Sequence, residues 1–109
     1  MSEPAQVGDV IWANAYDTRG AMKDRPMVVI AVETKPTRRL ICCCITTSPP
    51  RGDTDRFVGL PAIRWSGLSR ASWAALDWLQ EIDPMQIRRI SGRLPIRLTQ
   101  FIIDGIEEG

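Results

Sequence analysis

Two continuous apolar segments, residues 27–32 and 40–45, constrain the fold of this chain more than any other feature of its sequence. Neither segment alternates polar with apolar residues, so a strand made from either would be buried on both faces or wrapped into a barrel. A chain of 109 residues, 44% of them hydrophobic, can supply one such core with little left over. We therefore expect a single domain over residues 1–109.

Turn formers divide the rest of the chain into short elements. Strand-forming composition marks three further segments: residues 7–15, 56–61 and 71–82. By propensity alone the last of these could equally be a helix. Two polar segments that contain glycine, residues 16–25 and 48–55, predict exposed loops. Pro26 is expected to open the second strand, because the first position of a strand need not donate a backbone hydrogen bond.

Helical signals appear twice in the second half of the chain. Asp83-Pro84 has the form of a helix N-cap followed by proline, and Ser91-Gly92 would end that helix, which predicts one short helix between them. A C-terminal amphipathic helix, weakened near its end by Gly105, is predicted from apolar residues at helical spacing: Leu98, Phe101, Ile102 and Ile106. Many short strands with helical cover indicate a small, barrel-like α+β domain that is mainly β.

The three cysteines, Cys42, Cys43 and Cys44, are adjacent, and successive side chains of a strand face opposite ways. They are expected to be core residues in a reducing compartment, since the chain has no histidine and no Cys-x-x-Cys spacing for a metal site. No apolar run approaches the roughly 20 residues that cross a bilayer, and the N-terminus lacks the order of a signal peptide. We therefore expect a cytoplasmic protein without a cofactor, a metal or a membrane partner.

The absence of histidine removes the commonest acid, base and metal ligand, and every mechanism that needs an imidazole. Asp53 and Asp55 lack the companion carboxylates of a two-metal nuclease, and no phosphate-binding glycine motif is present. Twelve of the fourteen basic residues are arginines, whose planar guanidinium suits phosphate, so RNA or an acidic protein is favoured as partner. Arginine, hydroxyl and backbone groups can still promote one metal-free reaction, the cleavage of RNA by its own 2′-hydroxyl.

A resemblance to a known family rests on motifs spread over nearly the whole chain. The first half carries Gly8-Asp9-Val10-Ile11-Trp12, Asp17-Thr18-Arg19-Gly20, Lys23-Asp24-Arg25-Pro26-Met27-Val28-Val29-Ile30 and Ile45-Thr46-Thr47-Ser48. The second half carries Gly67-Leu68, Leu76-Asp77, Ile82-Asp83 and Ile90-Ser91-Gly92-Arg93-Leu94. In order and spacing these motifs resemble the MazF/PemK toxins.

The resemblance implies an SH3-like barrel of the CcdB/PemK type that forms a homodimer and is inhibited by a cognate antitoxin with a disordered acidic tail. It implies the toxin of a type II toxin–antitoxin system, a sequence-selective, metal-independent endoribonuclease. Such an enzyme cleaves single-stranded RNA, whether mRNA, tRNA or rRNA, to a 2′,3′-cyclic phosphate. The cleavage site of the family maps onto Arg25, which would neutralise the phosphorane, and Thr46, whose hydroxyl would bond a phosphate oxygen.

Other site residues follow from the same resemblance. Ala75 stands where Kid-type members have an arginine, and the chain has no histidine, so the acid–base pair of those members is missing. Asp77 would act as a base, or else would be a carboxylate that pairs with an arginine or caps a turn. Five residues are expected to bind RNA: Arg19, Lys23, Thr47, Ser48 and Arg51. The hydroxyl residues among them would equally shape a turn.

Two further questions stay open at the level of sequence. The tryptophans are expected to have structural roles, Trp12 and Trp78 as core or dimer contacts, while Trp65 and Trp73 would either stack on a base or cover the barrel. The same fold also suits a non-catalytic, CcdB-like gyrase-binding toxin or an inactive partner-binding module. The missing histidine and second arginine are compatible with either alternative.

Overall fold

Six strands and one α-helix make up the part of the chain that the computed structural model describes, residues 4–16, 19–52, 54–62 and 64–108. The elements are β1 (Asp9–Tyr16), β2 (Met22–Glu33), β3 (Arg39–Thr46), β4 (Phe57–Leu60), β5 (Ser72–Ile82), β6 (Ile87–Arg93) and α1 (Ile96–Glu108). Single 3₁₀ turns occupy Thr54–Arg56, Arg64–Ser66 and Pro84–Gln86. The strands form one antiparallel sheet in the order β4-β5-β3-β2-β1-β6.

The central strands β2 and β3 are covered on both faces, as their continuous apolar sequences predict. Cys43 points into a core cluster that includes Ile102 of α1, whereas Cys42 and Cys44 point into a second cluster on the opposite face. The prediction that the cysteines are core residues is confirmed, since all three are fully buried. Burial raises the pKa of each thiol to about 12.

A close backbone contact links edge strand β6 to the connection that follows the other edge strand, β4. A Cβ atom on Gly92 of β6 would lie 2.5 Å from the carbonyl oxygen of Trp65, and one on Gly67 would lie 2.3 Å from that of Ser91. Only glycine fits at such separations, and Gly67 also has a positive φ of 69°. The sheet therefore curls into a barrel-like domain. The predicted fold class, mainly β α+β with a C-terminal helix, is confirmed.

The predicted start of the second strand is wrong. β2 begins at Met22, and Pro26 lies in its interior. Proline is tolerated there because pairing with β3 begins only at Met27, so that this part of β2 pairs with β1 alone. The predicted loop 16–25 is shorter for the same reason. Two of its residues lie outside the described part of the chain: Asp17 and Thr18.

The predicted helix after Asp83 is also wrong. Asp83 does cap a 3₁₀ turn, since its Oδ1 accepts a hydrogen bond from the backbone N–H of Met85 at 2.9 Å. Its own N–H donates to Oε1 of Gln86 at 2.8 Å. The turn ends there, and the chain continues as β6, which pairs with β1. Pairing with β1 satisfies the backbone and closes the barrel, so the tertiary fold overrides the local capping signal.

The predicted C-terminal helix is confirmed as α1, in which Leu98, Ile102 and Ile106 pack against the core cluster that contains Cys43. Phe101, predicted on the same stripe, is instead 64% exposed. Successive helical residues are about 100° apart, so Phe101 lies that far around the helix from Ile102. The apolar face is narrower than the sequence indicates.

Gly105 lies in the last turn of α1, near the end of the helix as expected. A Cβ atom there would be 2.9 Å from Cδ1 of Leu76, so glycine allows β5 to approach the helix closely. No helix among the described residues is long and apolar enough to span a membrane.

Candidate functional site

A cleft of about 440 Å³ opens between the C-terminal end of β3, the segment that follows it, and β5. Its walls combine polar, charged and aromatic side chains: Thr46, Ser48, Pro49, Pro50, Arg51, Arg56, Phe57, Ala75, Asp77 and Trp78. Four of them are site residues predicted from the sequence: Thr46, Ser48, Arg51 and Asp77. The cleft is therefore the candidate functional site.

β5 is irregular where it borders this cleft. Its register with β3 shifts at Cys44, so that residues 75–78 of β5 oppose this single residue of β3. Bulges of this kind re-aim side chains and are frequent beside functional sites. Here the bulge brings Asp77 and Trp78 to the cleft wall.

Arg25 and Thr46 lie at the same end of neighbouring strands. Met27 of β2 pairs with Cys44 of β3. Two positions further towards this end, Arg25 and Thr46 leave their strands on the same face. The Arg25 guanidinium lies over the indole ring of Trp78, 4.9 Å from the ring centre. Both residues predicted to be catalytic are therefore beside the cleft.

The turn after β3 fixes the hydroxyl group of Thr46. Its Oγ1 accepts a hydrogen bond from the backbone N–H of Ser48 at 3.1 Å. A hydroxyl that accepts in this way keeps its own proton for donation to another group. Thr47 and Ser48 are exposed, and the side chain that shapes the turn is that of Thr46, through its bond with the backbone of Ser48.

Asp77 is bound by Arg56, a residue that the sequence analysis did not single out. Nη2 of Arg56 donates to Oδ1 of Asp77 at 2.7 Å, and Nε donates to the same carboxylate at 3.1 Å. These hydrogen bonds hold the pKa of Asp77 below its usual value. Nη1 of Arg56 also donates to the carbonyl oxygen of Gly105 at 2.9 Å, which ties the cleft to α1.

The pairing of β4 with β5 explains the place of Arg56. Phe57 pairs with Ala75, which brings the preceding arginine beside Asp77. The small Ala75 side chain stands where the resemblance would put an arginine, and the guanidinium of Arg56, from the 3₁₀ turn that precedes β4, reaches the carboxylate instead. Only the strand pairing could have revealed this residue.

Of the remaining residues predicted to bind RNA, Arg51 lines the cleft. Lys23 is exposed on β2, two positions before Arg25, so it leaves the strand on the same side. Arg19 is exposed in the connection between β1 and β2. In the second predicted loop Asp55 is exposed, and Asp53 lies outside the described residues.

The tryptophans divide between stacked and open positions. Trp12 is half-buried, lies under the Arg89 guanidinium at 4.8 Å, and donates from Nε1 to Oγ of Ser91 at 3.1 Å. Trp73 is half-buried on β5, whereas Trp65 is 44% exposed. Trp78 is thus the tryptophan that meets the predicted catalytic arginine.

A second cleft, of about 580 Å³, lies between the N-terminal segment and the start of α1. Its two arginines are engaged within the fold. Arg38 donates to the carbonyl oxygen of Ala5, and Arg93 donates to Asp9 at 3.2 Å. None of the site residues predicted from the sequence lines this cleft.

Comparisons with known proteins agree with the geometry of the fold. The family described as PemK-like, MazF-like toxin of type II toxin-antitoxin system matches residues 6–108. The structure is similar to that of the Mycobacterium tuberculosis toxin MazF-mt6, with 20% sequence identity, coverage of 92% of this chain and 93% of that one, and a TM-score of 0.71.

Two solved complexes are also similar in structure. One is MazE-MazF from Deinococcus radiodurans, with 16% identity, coverage of 97% of this chain and 95% of that one, and a TM-score of 0.68. The other is an endoribonuclease in complex with its cognate antitoxin from a mycobacterial species, with 11% identity, coverage of 95% and 92%, and a TM-score of 0.70. At these identities the likeness establishes a shared fold. No curated protein matches in sequence.

Proposed function

Because the chain belongs to the family of PemK-like, MazF-like toxins of type II toxin–antitoxin systems, we propose that it is a metal-independent, sequence-selective endoribonuclease. Its substrate is single-stranded RNA, whether mRNA, tRNA or rRNA, and one product ends in a 2′,3′-cyclic phosphate. The observation that carries this proposal is the position of Arg25 and Thr46 at one end of adjoining strands, beside a cleft.

The reaction needs little from the protein because RNA brings its own nucleophile. The 2′-oxygen loses its proton and attacks the adjacent phosphorus, the bond to the 5′-oxygen breaks, and that oxygen takes up a proton as it leaves. Negative charge grows on the phosphorane oxygens. Arg25 neutralises this charge with its planar guanidinium, which can donate two parallel hydrogen bonds to the phosphate. The Thr46 hydroxyl donates to a phosphate oxygen. Arg25 acts through charge, because a guanidinium stays protonated.

Asp77 is the candidate acceptor for the proton of the 2′-hydroxyl. It lines the cleft, and its lowered pKa keeps it ionised at neutral pH, as a base must be. The same lowered pKa makes it a weak base. Slow cleavage is the expected consequence.

We infer that further contacts to RNA come from exposed cationic and hydroxyl side chains near the site: Arg19, Lys23, Thr47, Ser48 and Arg51. The toxin would act in the cytoplasm as a homodimer. A cognate antitoxin with an acidic tail would compete with RNA for the same cationic side chains. Two structurally similar proteins, from Deinococcus radiodurans and a mycobacterial species, were solved with antitoxins, which supports this part of the proposal.

Purified protein, incubated with a panel of single-stranded RNAs in EDTA, tests the proposed activity. We expect cleavage at a restricted set of sequences, with cyclic phosphate ends identified by mass spectrometry. Arg25→Lys keeps the positive charge but loses the guanidinium group that binds phosphate through two hydrogen bonds. It should lower the single-turnover rate by about tenfold or more. Arg25→Ala should lower it by about 10²- to 10³-fold. Arg97→Ala, at an exposed position of α1, is the matched control and should cleave at the parental rate.

Other outcomes would point to the other functions on this fold. Intact RNA across the whole panel would exclude the proposed nuclease activity under these conditions. Growth arrest that survives Arg25→Ala, with gyrase recovered alongside the protein, would indicate a CcdB-like binding toxin. Expression without any effect on growth would indicate an inactive partner-binding module.

A further inference from the structure

We propose that Trp78 is a positioning residue for Arg25, with its indole ring holding the guanidinium beside the cleft in a fixed orientation towards phosphate. This role rests on the proposed ribonuclease function and extends it to a residue that the sequence motifs do not include. Three features of the structure support it: the reach of Arg25, the nature of the contact, and the anchoring of Trp78.

The contact joins two strands that are not neighbours. Arg25 is on β2 and Trp78 is on β5, and β3 lies between them in the sheet. The guanidinium is nevertheless 4.9 Å from the ring centre. Burial raises the pKa of the Cys44 thiol on β3, and the charge of Arg25 acts against this rise, so Arg25 also lies near the middle strand. Arg25 therefore reaches across β3 to the ring.

An aromatic face is a suitable support for an arginine that must bind phosphate. Cation–π attraction acts on the face of the guanidinium, with tryptophan the strongest partner. This contact neither cancels the positive charge nor uses the N–H groups at the edge of the guanidinium plane. A carboxylate in the same place would do both. Stacking thus supplies orientation without changing the chemistry that the cleavage step requires.

Trp78 is itself held from two sides. Its ring packs against the core cluster that contains Met27 and Cys44. The preceding residue, Asp77, is bound by Arg56, which also donates to the carbonyl oxygen at Gly105 of α1. The bulge that carries the ring is therefore tied to the sheet and to the helix. A ring fixed in this way can fix the arginine stacked on it.

Variants of Trp78 test this role through the separation of kcat from KM. Trp78→Leu removes the π face and should lower kcat by about tenfold, or about 1.4 kcal/mol of barrier, with little change in KM for RNA. Trp78→Phe keeps a weaker π face and should lower kcat by only about threefold. Trp12→Leu is the matched control, because the Arg89 guanidinium lies over the Trp12 ring at a similar distance, 4.8 Å, and Trp12 does not line the cleft. We expect it to leave kcat unchanged.

The NMR signal of the Arg25 Nε–H provides a readout that does not depend on cleavage. The ring current of Trp78 should displace this signal in the parent protein. The displacement should be lost in Trp78→Leu and retained in Trp12→Leu. Thermal unfolding identifies any variant that fails to fold, and if Trp78→Leu fails, the same two measurements on Trp78→Phe decide the matter.

The outcomes separate this inference from the proposal on which it rests. If Trp78→Leu has the same kcat as the parent protein while Arg25→Lys is slower, the positioning role is overturned and the ribonuclease function stays intact. An Arg25 signal that does not move in Trp78→Leu would also overturn it. If the parent protein cleaves no RNA, the ribonuclease function is wrong and the positioning role is overturned with it.

Discussion

The Asp77 carboxylate illustrates how one partner determines the chemistry of a side chain. Asp77 is exposed, yet Arg56 donates hydrogen bonds to both of its carboxylate oxygens. Arg56 lies 21 residues earlier in the chain. From the sequence, an ion-paired carboxylate was one of two alternatives for Asp77. The identity of its partner could not be predicted, because a contact over this separation depends on which strands pair.

We expect Asp77→Asn to lower the free energy of unfolding at neutral pH and to have no effect in acid. The pKa of Asp77 is lower in the folded protein than its ordinary value, so its contribution to stability is complete above about pH 4. The contribution is lost as the pH falls through the folded-state pKa. Urea denaturation of parent and variant between pH 7 and pH 3 measures this, and an equal difference at both ends would contradict it.

Among the secondary-structure elements, those with their own sequence pattern could be predicted and those defined by a neighbour could not. β3 and α1 were predicted from an apolar run and a helical stripe, and both are confirmed. β6 was predicted as a helix because the cap at Asp83 is a genuine local signal. The helical conformation ends after one turn because the next residues pair with β1. No local sequence pattern could predict this pairing.

The contact between β6 and the β4–β5 connection predicts a large effect of one methyl group. Gly92→Ala should destabilise the protein by about 1–3 kcal/mol, since its Cβ would lie 2.5 Å from backbone atoms that cannot move aside easily. Gly59→Ala on β4 is the matched control, because its Cβ would meet only the Trp73 side chain at 3.9 Å. Thermal and urea unfolding of both variants measure the difference. Equal stability of the two would show that the contact does not hold the barrel closed.

For the whole molecule, three consecutive cysteines face two core clusters on opposite sides of one strand. Each thiol is fully buried, and its pKa is raised to about 12 by burial, so thiolate is scarce at neutral pH. We expect a thiol-specific reagent to modify the native protein only as fast as the domain unfolds, and all three thiols to react in denaturant. Rapid labelling of one thiol in the native protein would contradict this expectation.

The overall fold was more predictable than the site it carries. Length, apolar runs and the order of motifs were sufficient to predict a small barrel, because these features extend over most of the sequence. Arg25 and Thr46 were found through motifs, and the structure places both beside one cleft. Trp78 and Arg56 join that site through contacts across the sheet, which a linear pattern does not record.

The bulge in β5 has a consequence for how such a site can change over generations. The pairs that flank the bulge, Ala74 with Ile45 and Leu79 with Cys43, fix the register of β5 on both sides of it. A residue lost between 75 and 78 shortens the bulge and leaves these pairs in place, so Ile82 beyond them stays buried. The lining of the cleft can therefore vary in length as well as in residue type, while the sheet around it keeps its pairing.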